Sequence, residues 1–337
     1  MKRAHIKQRG LSLVELMVAM ALGLLLVLVA IGLLVSASQG FSAVDHGSAA
    51  RDKERLATEL LSSVILQAGY EDWGNPLSNL QSVARLQGPN TDLEPDIFGW
   101  DNAVYGVPAN LNLSTITDIT NGNRPAKCGS KNTTACLNGS DILVVRFQGM
   151  ARPSDVSAGD RSMLDCGGGP EAPPPNGKLN ERSLNLFHLA RPDDSGEGSL
   201  GCVTYQGGWK ATRPLIEGVE SFQVLYGTDA VVPGVAPTAG TNDSVADRWL
   251  RADELSVAGN TAATRANWRR VRAVRIGLVL RGPAGSAFDT SARTLWPLGS
   301  TFANVADVGS VLLAPADGRL RTSHSFTLHL RNDLVMP

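Results

Sequence analysis

The chain has 337 residues, enough for one large domain or two small ones. Hydrophobic residues make up 43% and charged residues 19%, which is ordinary for a globular protein. The net charge of −1 gives no basic surface of the kind that nucleic-acid-binding proteins carry, so nucleic acid is not expected as a partner. Basic residues nevertheless cluster at the start, where Lys2, Arg3, Lys7 and Arg9 have no acidic residue among them.

An uninterrupted apolar run follows this basic leader from Leu16 to Val35. As a helix its twenty residues would be about 30 Å long, enough to cross the hydrocarbon core of a bilayer. The basic flank predicts a cytoplasmic N-terminus and an external remainder. Two residues do not fit a plain signal anchor. The best cleavage candidate, Gly10, lies before the run, and Glu15 places a costly charge at its head.

The residues Gly10-Leu11-Ser12-Leu13-Val14-Glu15-Leu16 resemble the class III signal of type IV prepilins. Leucine replaces the usual phenylalanine after the glycine. The resemblance implies that a prepilin peptidase cleaves between Gly10 and Leu11 and that the new amino group of Leu11 is methylated. It also implies that Glu15 pairs with the N-terminal amine of a neighbouring subunit. The alternative is a glutamate that reaches the membrane interface without a partner.

A second helical pattern follows the apolar run. Leu56, Leu60, Leu61, Val64, Ile65 and Ala68 repeat at the spacing of one buried helix face. No proline occurs between Leu11 and Asn75, and Gly69 is a plausible stop. We therefore predict one nearly continuous helix from about Leu11 to about Ala68. The segments are a leader over 1–10, a transmembrane or filament-core helix over 11–35, an amphipathic continuation over 36–70 and a head over 71–337.

The head is predicted to be β-rich, with half-buried antiparallel strands whose polar side faces outward. The strand candidates are Asp141–Phe147, Leu184–Ala190, Cys202–Tyr205, Val219–Tyr226, Arg272–Leu280 and an alternating run through Phe326, Leu328 and Leu330. Long Gly-, Pro-, Asp- and Ser-rich loops separate them. The fold class is α+β, a long N-terminal helical spine packed on an antiparallel β-sheet head.

Pieces of the C-terminal half resemble type IV pilus assembly proteins of the PilW type. They are Leu215–Gly227, Val271–Ile276 and Leu328–Asn332, after the Ala68-Gly69-Tyr70 that closes the helix. The resemblance implies a minor pilin of the inner membrane that primes or caps the pilus together with other minor pilins and the major pilin, with a pilus-tip adhesin as a further candidate partner. The alternatives are a minor pseudopilin of type II secretion and a membrane-anchored periplasmic enzyme or adhesin.

Four cysteines, Cys128, Cys136, Cys166 and Cys202, fall in the part expected outside the cytoplasm, where an even count favours disulfides. Sequence does not determine the connectivity. We favour Cys128–Cys136 and Cys166–Cys202. Zinc is the rival, but there is no C-x-x-C pair and no nearby histidine.

No catalytic motif of the common hydrolase, metalloprotease or nucleotide-binding types is present, so we expect no enzyme, no cofactor and no resident metal. His188, His324 and His329 lie on predicted strands and are interpreted as surface or hydrogen-bonded sheet residues. Asp92, Glu94, Asp96 and Asp101 form an acidic loop that does not match an EF-hand and is interpreted as solvated.

Overall fold

The computed structural model describes residues 12–70, 95–104, 127–128, 136–173, 182–190, 197–205, 210, 213–287, 289–304 and 307–332. The chain divides into two compact units, residues 1–49 and residues 50–337. One helix, α1, runs from Leu13 to Ile65. A second helix, α2, spans Thr261–Trp268. The predicted continuous helix is therefore confirmed, and its end falls three residues earlier than expected.

The strands of the second unit form two main antiparallel sheets and two small ones. Their bounds are β1 Ile97–Trp100, β2 Ile142–Phe147, β3 Ala151–Arg152, β4 Asp155–Gly159, β5 Ser183–Ala190, β6 Ser199–Tyr205, β7 Arg213–Glu217, β8 Val219–Thr228, β9 Arg248–Leu250, β10 Val271–Arg281, β11 Arg293–Leu295, β12 Leu312–Ala314 and β13 Arg321–His329. The first main sheet has the order β1-β2-β5-β6-β7, and the second has the order β13-β10-β8-β9. This is the α+β class expected from the sequence.

The end of α1 packs into the core shared by both sheets. Its buried residues are Ala57, Leu61, Val64 and Ile65. The expectation for Leu56 was wrong, because 46% of that side chain is exposed and Ala57 takes its place on the buried face. The helix ends at a turn in which Gly69 adopts φ +74°, a conformation that favours glycine.

Asp141 joins the two main sheets. It lies just before β2, and its backbone N–H donates to the Phe222 carbonyl of β8 at 2.8 Å. Its carboxylate accepts the N–H groups of Val224 at 2.7 Å and Asn102 at 2.9 Å. Burial raises the pKa of this carboxyl group well above its usual range. The side chain is thus a buried link between the two main sheets.

The prediction of half-buried strands was wrong for the central strands. In β10 both faces are buried, including Val279 on the face opposite Ile276. The second face is covered by the segment after β11, since a Cβ atom added to Gly277 would lie 2.5 Å from the carbonyl of Pro297. Alternation within a strand cannot reveal a cover supplied by a distant segment. Leu330 was also misplaced, because it follows β13 although it is buried.

Candidate functional site

The apolar first part of α1 presents its side chains outward along the whole membrane-length stretch. In the first unit, Leu16 is 53% exposed and Leu34 is 70% exposed. No charged residue occurs between Glu15 and Asp45. The helix is long and apolar enough to cross a membrane, with a mean hydropathy of 3.0 over its best 18-residue window. Such a surface requires an apolar environment, either lipid or other helices.

Glu15 closes the N-terminus of this helix in a reciprocal pair of hydrogen bonds. The backbone N–H of Ser12 donates to Glu15 Oε2 at 2.9 Å, and the backbone N–H of Glu15 donates to Ser12 Oγ at 3.2 Å. The first helical bond, from Leu16 N–H to the Ser12 carbonyl, follows directly at 3.2 Å. This is a capping box with Ser12 at the N-cap position, and it satisfies two backbone donors that the helix cannot satisfy itself.

The capping box was not predicted, although the Ser-x-x-Glu spacing that signals it is visible in the sequence. Glu15 therefore has a local hydrogen-bond partner, Ser12, and is not an unpaired charge at the head of the apolar run. The carboxylate also lies in the first turn, where the helix dipole favours a negative charge. Gly10 and Leu11, the expected cleavage and methylation residues, lie outside the described residues.

Both disulfides have the connectivity that the sequence favoured. Cys128 pairs with Cys136, and Cys166 pairs with Cys202, with Cα–Cα distances of 5.8 Å and 6.4 Å. The second bond attaches the loop around Cys166 to β6. Gln67 anchors the same loop to the end of α1, since its side chain exchanges two hydrogen bonds with the Leu164 backbone at 2.9 Å and 3.0 Å. The head is therefore fastened to the helix at this point.

Comparisons with known proteins match both ends of the chain. Residues 187–332 match the family model described as Type IV Pilus-assembly protein W, and residues 6–31 match the prokaryotic N-terminal methylation motif. The chain therefore carries a PilW domain over residues 187–332 and an N-terminal methylation motif over residues 6–31.

Two further comparisons add little to this assignment. A solved type IV-like pilin from Thermus thermophilus is similar over 84% of this chain and 95% of its own, with 15% identity and a TM-score of 0.38. A similarity at that TM-score is too low to establish a shared fold. No curated protein matches the chain.

The motif pieces of the PilW domain have structural roles in the second sheet. Gly218 forms the turn between β7 and β8 with φ +80°, and a Cβ atom there would lie 2.7 Å from the Arg281 carbonyl. Glu220 binds two arginines, Arg281 at 3.0 Å and Arg321 at 2.6 Å. Asn332 donates to the Ala68 carbonyl at 3.2 Å and so binds the turn that follows α1.

The three histidines of the predicted strands occupy different environments. His188 is buried on β5, and burial lowers its pKa to about 3, so it is neutral at physiological pH. His324 on β13 contacts α1, with 2.7 Å between its Nε2 and Thr58 Oγ1. His329 is exposed at the end of β13. His188 lies on β5 of the first main sheet, whereas His324 and His329 lie on β13 of the second. The three histidines therefore do not form one site.

The expected acidic loop is divided by the structure. Asp96 is buried and forms an ion pair with Arg182, while Asp92 and Glu94 lie outside the described residues. A different acidic group was missed, in which Asp229, Asp243 and Asp247 approach one another after β8. Asp229 there accepts the backbone N–H groups of Asp243 and Ser244 at 3.1 Å and 2.8 Å. The buried carboxylate of Asp229 thus fixes the loop that follows β8.

Proposed function

We propose that this type IV pilin-like protein is a minor pilin, an inner-membrane subunit that primes or caps the type IV pilus together with other minor pilins. The observation that supports this most is the N-terminal segment. A match to the methylation motif covers residues 6–31, and a carboxylate at the N-terminus of an exposed apolar helix lies within it. A soluble function gives no reason for an exposed apolar helix of this length.

In this proposal prepilin peptidase cleaves between Gly10 and Leu11, and the Leu11 amine is methylated. The basic leader stays in the cytoplasm, α1 crosses the inner membrane once, and the head lies in the periplasm. The two disulfides suit that oxidising compartment. Removal of residues 1–10 takes away four basic residues, which leaves 27 basic against 32 acidic residues and a net charge near −5.

Glu15 then has two successive partners. Before assembly its carboxylate caps its own helix through Ser12. In the assembled complex it pairs with the Leu11 amine of a neighbouring subunit, a cation that exists only after cleavage. Exchange of a backbone N–H for a charged amine strengthens the interaction in a medium of low dielectric. The pair would fix the axial register of a newly inserted subunit.

The size of the head favours the tip or an initiating position over the shaft. The second unit spans residues 50–337, and so large a head is difficult to stack at every step of a narrow helix. Deletion of the gene should therefore reduce surface piliation and twitching while major-pilin synthesis continues. Normal piliation in a clean deletion strain would refute the proposal.

A minor pseudopilin of type II secretion is the second candidate, since it would share the N-terminal signal and the helix. The match of residues 187–332 to the pilus-assembly family model favours the first candidate. The neighbouring genes discriminate between the two candidates. Pilus genes would support the minor pilin, whereas genes for a secretin and a secretion ATPase would support the pseudopilin. A membrane-anchored periplasmic enzyme or adhesin is the third candidate and would keep its leader.

A further inference from the structure

The two main sheets end in four edge strands, and three of them are short or interrupted. β1 has four residues, β9 has three, and β7 has five with Pro214 among them. Short edges and edge prolines are devices that prevent a sheet from pairing with another chain. β13, the fourth edge, has neither device.

β13 is nine residues long and contains no proline and no lysine. Its register with β10 runs without a shift from Ala273↔His329 to Arg281↔Arg321, whereas the β10–β8 pairing has two irregularities. Among the described residues, no strand pairs with the other edge of β13. A long, regular edge leaves a row of backbone donors and acceptors ready to pair with a further strand.

Contacts on both faces fix the position of this edge. On one face, Phe326 and Leu328 pack against the core and His324 contacts Thr58 of α1. On the other face, the Arg275 guanidinium donates to Ser325 Oγ at 3.0 Å. An edge fixed from both faces needs little ordering when it binds, which lowers the entropic cost of association.

We infer that the free edge of β13 binds an extended strand from the head of a different subunit in the assembly complex. The inference rests on the proposed function for the source of that partner. Charge favours a different chain over a second copy. β13 contains no acidic residue, and the exposed cation Arg331 lies two residues beyond its last residue, His329, so a strand with an acidic residue there would complement it. Antiparallel self-pairing centred on Ser325 would offer Arg331 no acidic partner, since position 319 opposite it is also an arginine.

Photo-crosslinking in living cells tests this surface. A photoreactive residue is placed at Ser323 or at His329, which are exposed, share one strand face and lie about 20 Å apart along β13. Both probes should label one segment of one partner, at residues about six positions apart, as an extended strand requires. A helix covering the same distance would be labelled at residues about thirteen apart. Labelling at the helical spacing, labelling of a second copy, or no labelling would each overturn the inference.

A blocking variant supplies the control. Ser323→Lys places a charge beside the edge and should lower the yield from the His329 probe by about tenfold. Thr294→Lys, on exposed β11 of a separate small sheet, should leave the yield unchanged. Equal thermal unfolding of both variants and the wild type shows that folding is intact. An equal crosslinking yield from both variants would contradict the binding of a partner strand at the edge of β13. If crosslinking fails although the N-terminus is processed, only the binding of a strand to the edge of β13 is refuted. If the chain keeps Met1, the proposed function itself is refuted.

Discussion

At the scale of single residues, Ser12 and Glu15 offer a way to separate two roles of one carboxylate. Ser12→Ala removes the hydroxyl that accepts the Glu15 N–H but keeps the carboxylate. Glu15→Ala removes both the cap and the proposed partner of the Leu11 amine. We predict that processing continues in both variants, measured by the mass of the mature chain. Incorporation into the pilus complex should fall strongly only in Glu15→Ala.

Two results would contradict this account of Glu15. Equal loss of incorporation in both variants would show that capping is the whole role of the carboxylate. Normal incorporation of Glu15→Ala would refute the intersubunit pair even if the family assignment stands. Glu15→Gln is a useful third variant, because it retains a hydrogen-bond acceptor for the Ser12 N–H but removes the charge.

Gly99 on β1 is a residue where the core has no room for a side chain. A Cβ atom there would clash with the Tyr226 hydroxyl and with the carbonyl of Ile142. We predict that Gly99→Ala lowers the free energy of unfolding by about 1–3 kcal/mol, measured by denaturant titration. Gly40→Ala is the comparison, since nothing lies within 4 Å of an added Cβ and the higher helix propensity of alanine should produce no loss of stability. Addition of Tyr226→Phe should recover part of the loss, and an unchanged midpoint in Gly99→Ala would contradict the packing.

At the scale of elements, the loop around Glu171 carries a pH dependence. Glu171 is buried beside β5, where it accepts the Ser183 hydroxyl at 2.5 Å. Burial raises its pKa to about 7, and the Ser183 hydrogen bond opposes this. The folded chain therefore retains a proton that the unfolded chain has lost above its ordinary pKa of 4.5. Its contribution to stability is complete below that value and is lost as the pH rises to about 7.

This dependence predicts that the stability of the wild type relative to Glu171→Gln falls between pH 5 and pH 7. Buried His188, whose lowered pKa gives a slope of opposite sign, is common to both chains and cancels in this difference. One proton accounts for at most about 1.4 kcal/mol per pH unit, and residual solvation reduces this. The measurement is the urea midpoint at several pH values in the wild type and the variant. Glu59→Gln, on the exposed side of α1, is the matched control. A difference between wild type and Glu171→Gln that stays constant across this pH range would contradict the role of Glu171.

The sequence predicted the elements better than their surroundings. The spacing of Leu61, Val64 and Ile65 identified the buried helix face, and alternation located the core of β10, because both patterns are local. The cover over Gly277, the link through Asp141 and the ion pair of Asp96 depend on segments far apart in the chain. The capping box at Glu15 is different, because Ser-x-x-Glu was present in the sequence and the family resemblance drew attention to another partner.

At the scale of the whole molecule, the two ends of the chain carry different parts of the proposed function. The N-terminal match covers the segment that anchors and registers a subunit in the proposed function. The PilW match covers all of the second main sheet but only β6, β7 and part of β5 in the first. The residues of the PilW motif stabilise the head through Gly218, Glu220 and Asn332. We therefore expect the head surface to determine which other subunits are bound. Processing of the N-terminus is expected to convert the chain into a subunit that can assemble.

The mature N-terminus tests the central claim most directly. The full chain is expressed in cells that contain prepilin peptidase, isolated from membranes and analysed by intact-mass and N-terminal mass spectrometry. Gly10→Val, which blocks the expected cleavage, is the control. The account predicts a chain that begins at N-methylated Leu11 in the wild type and at Met1 in the variant. A wild-type chain that keeps Met1 and its leader would contradict it.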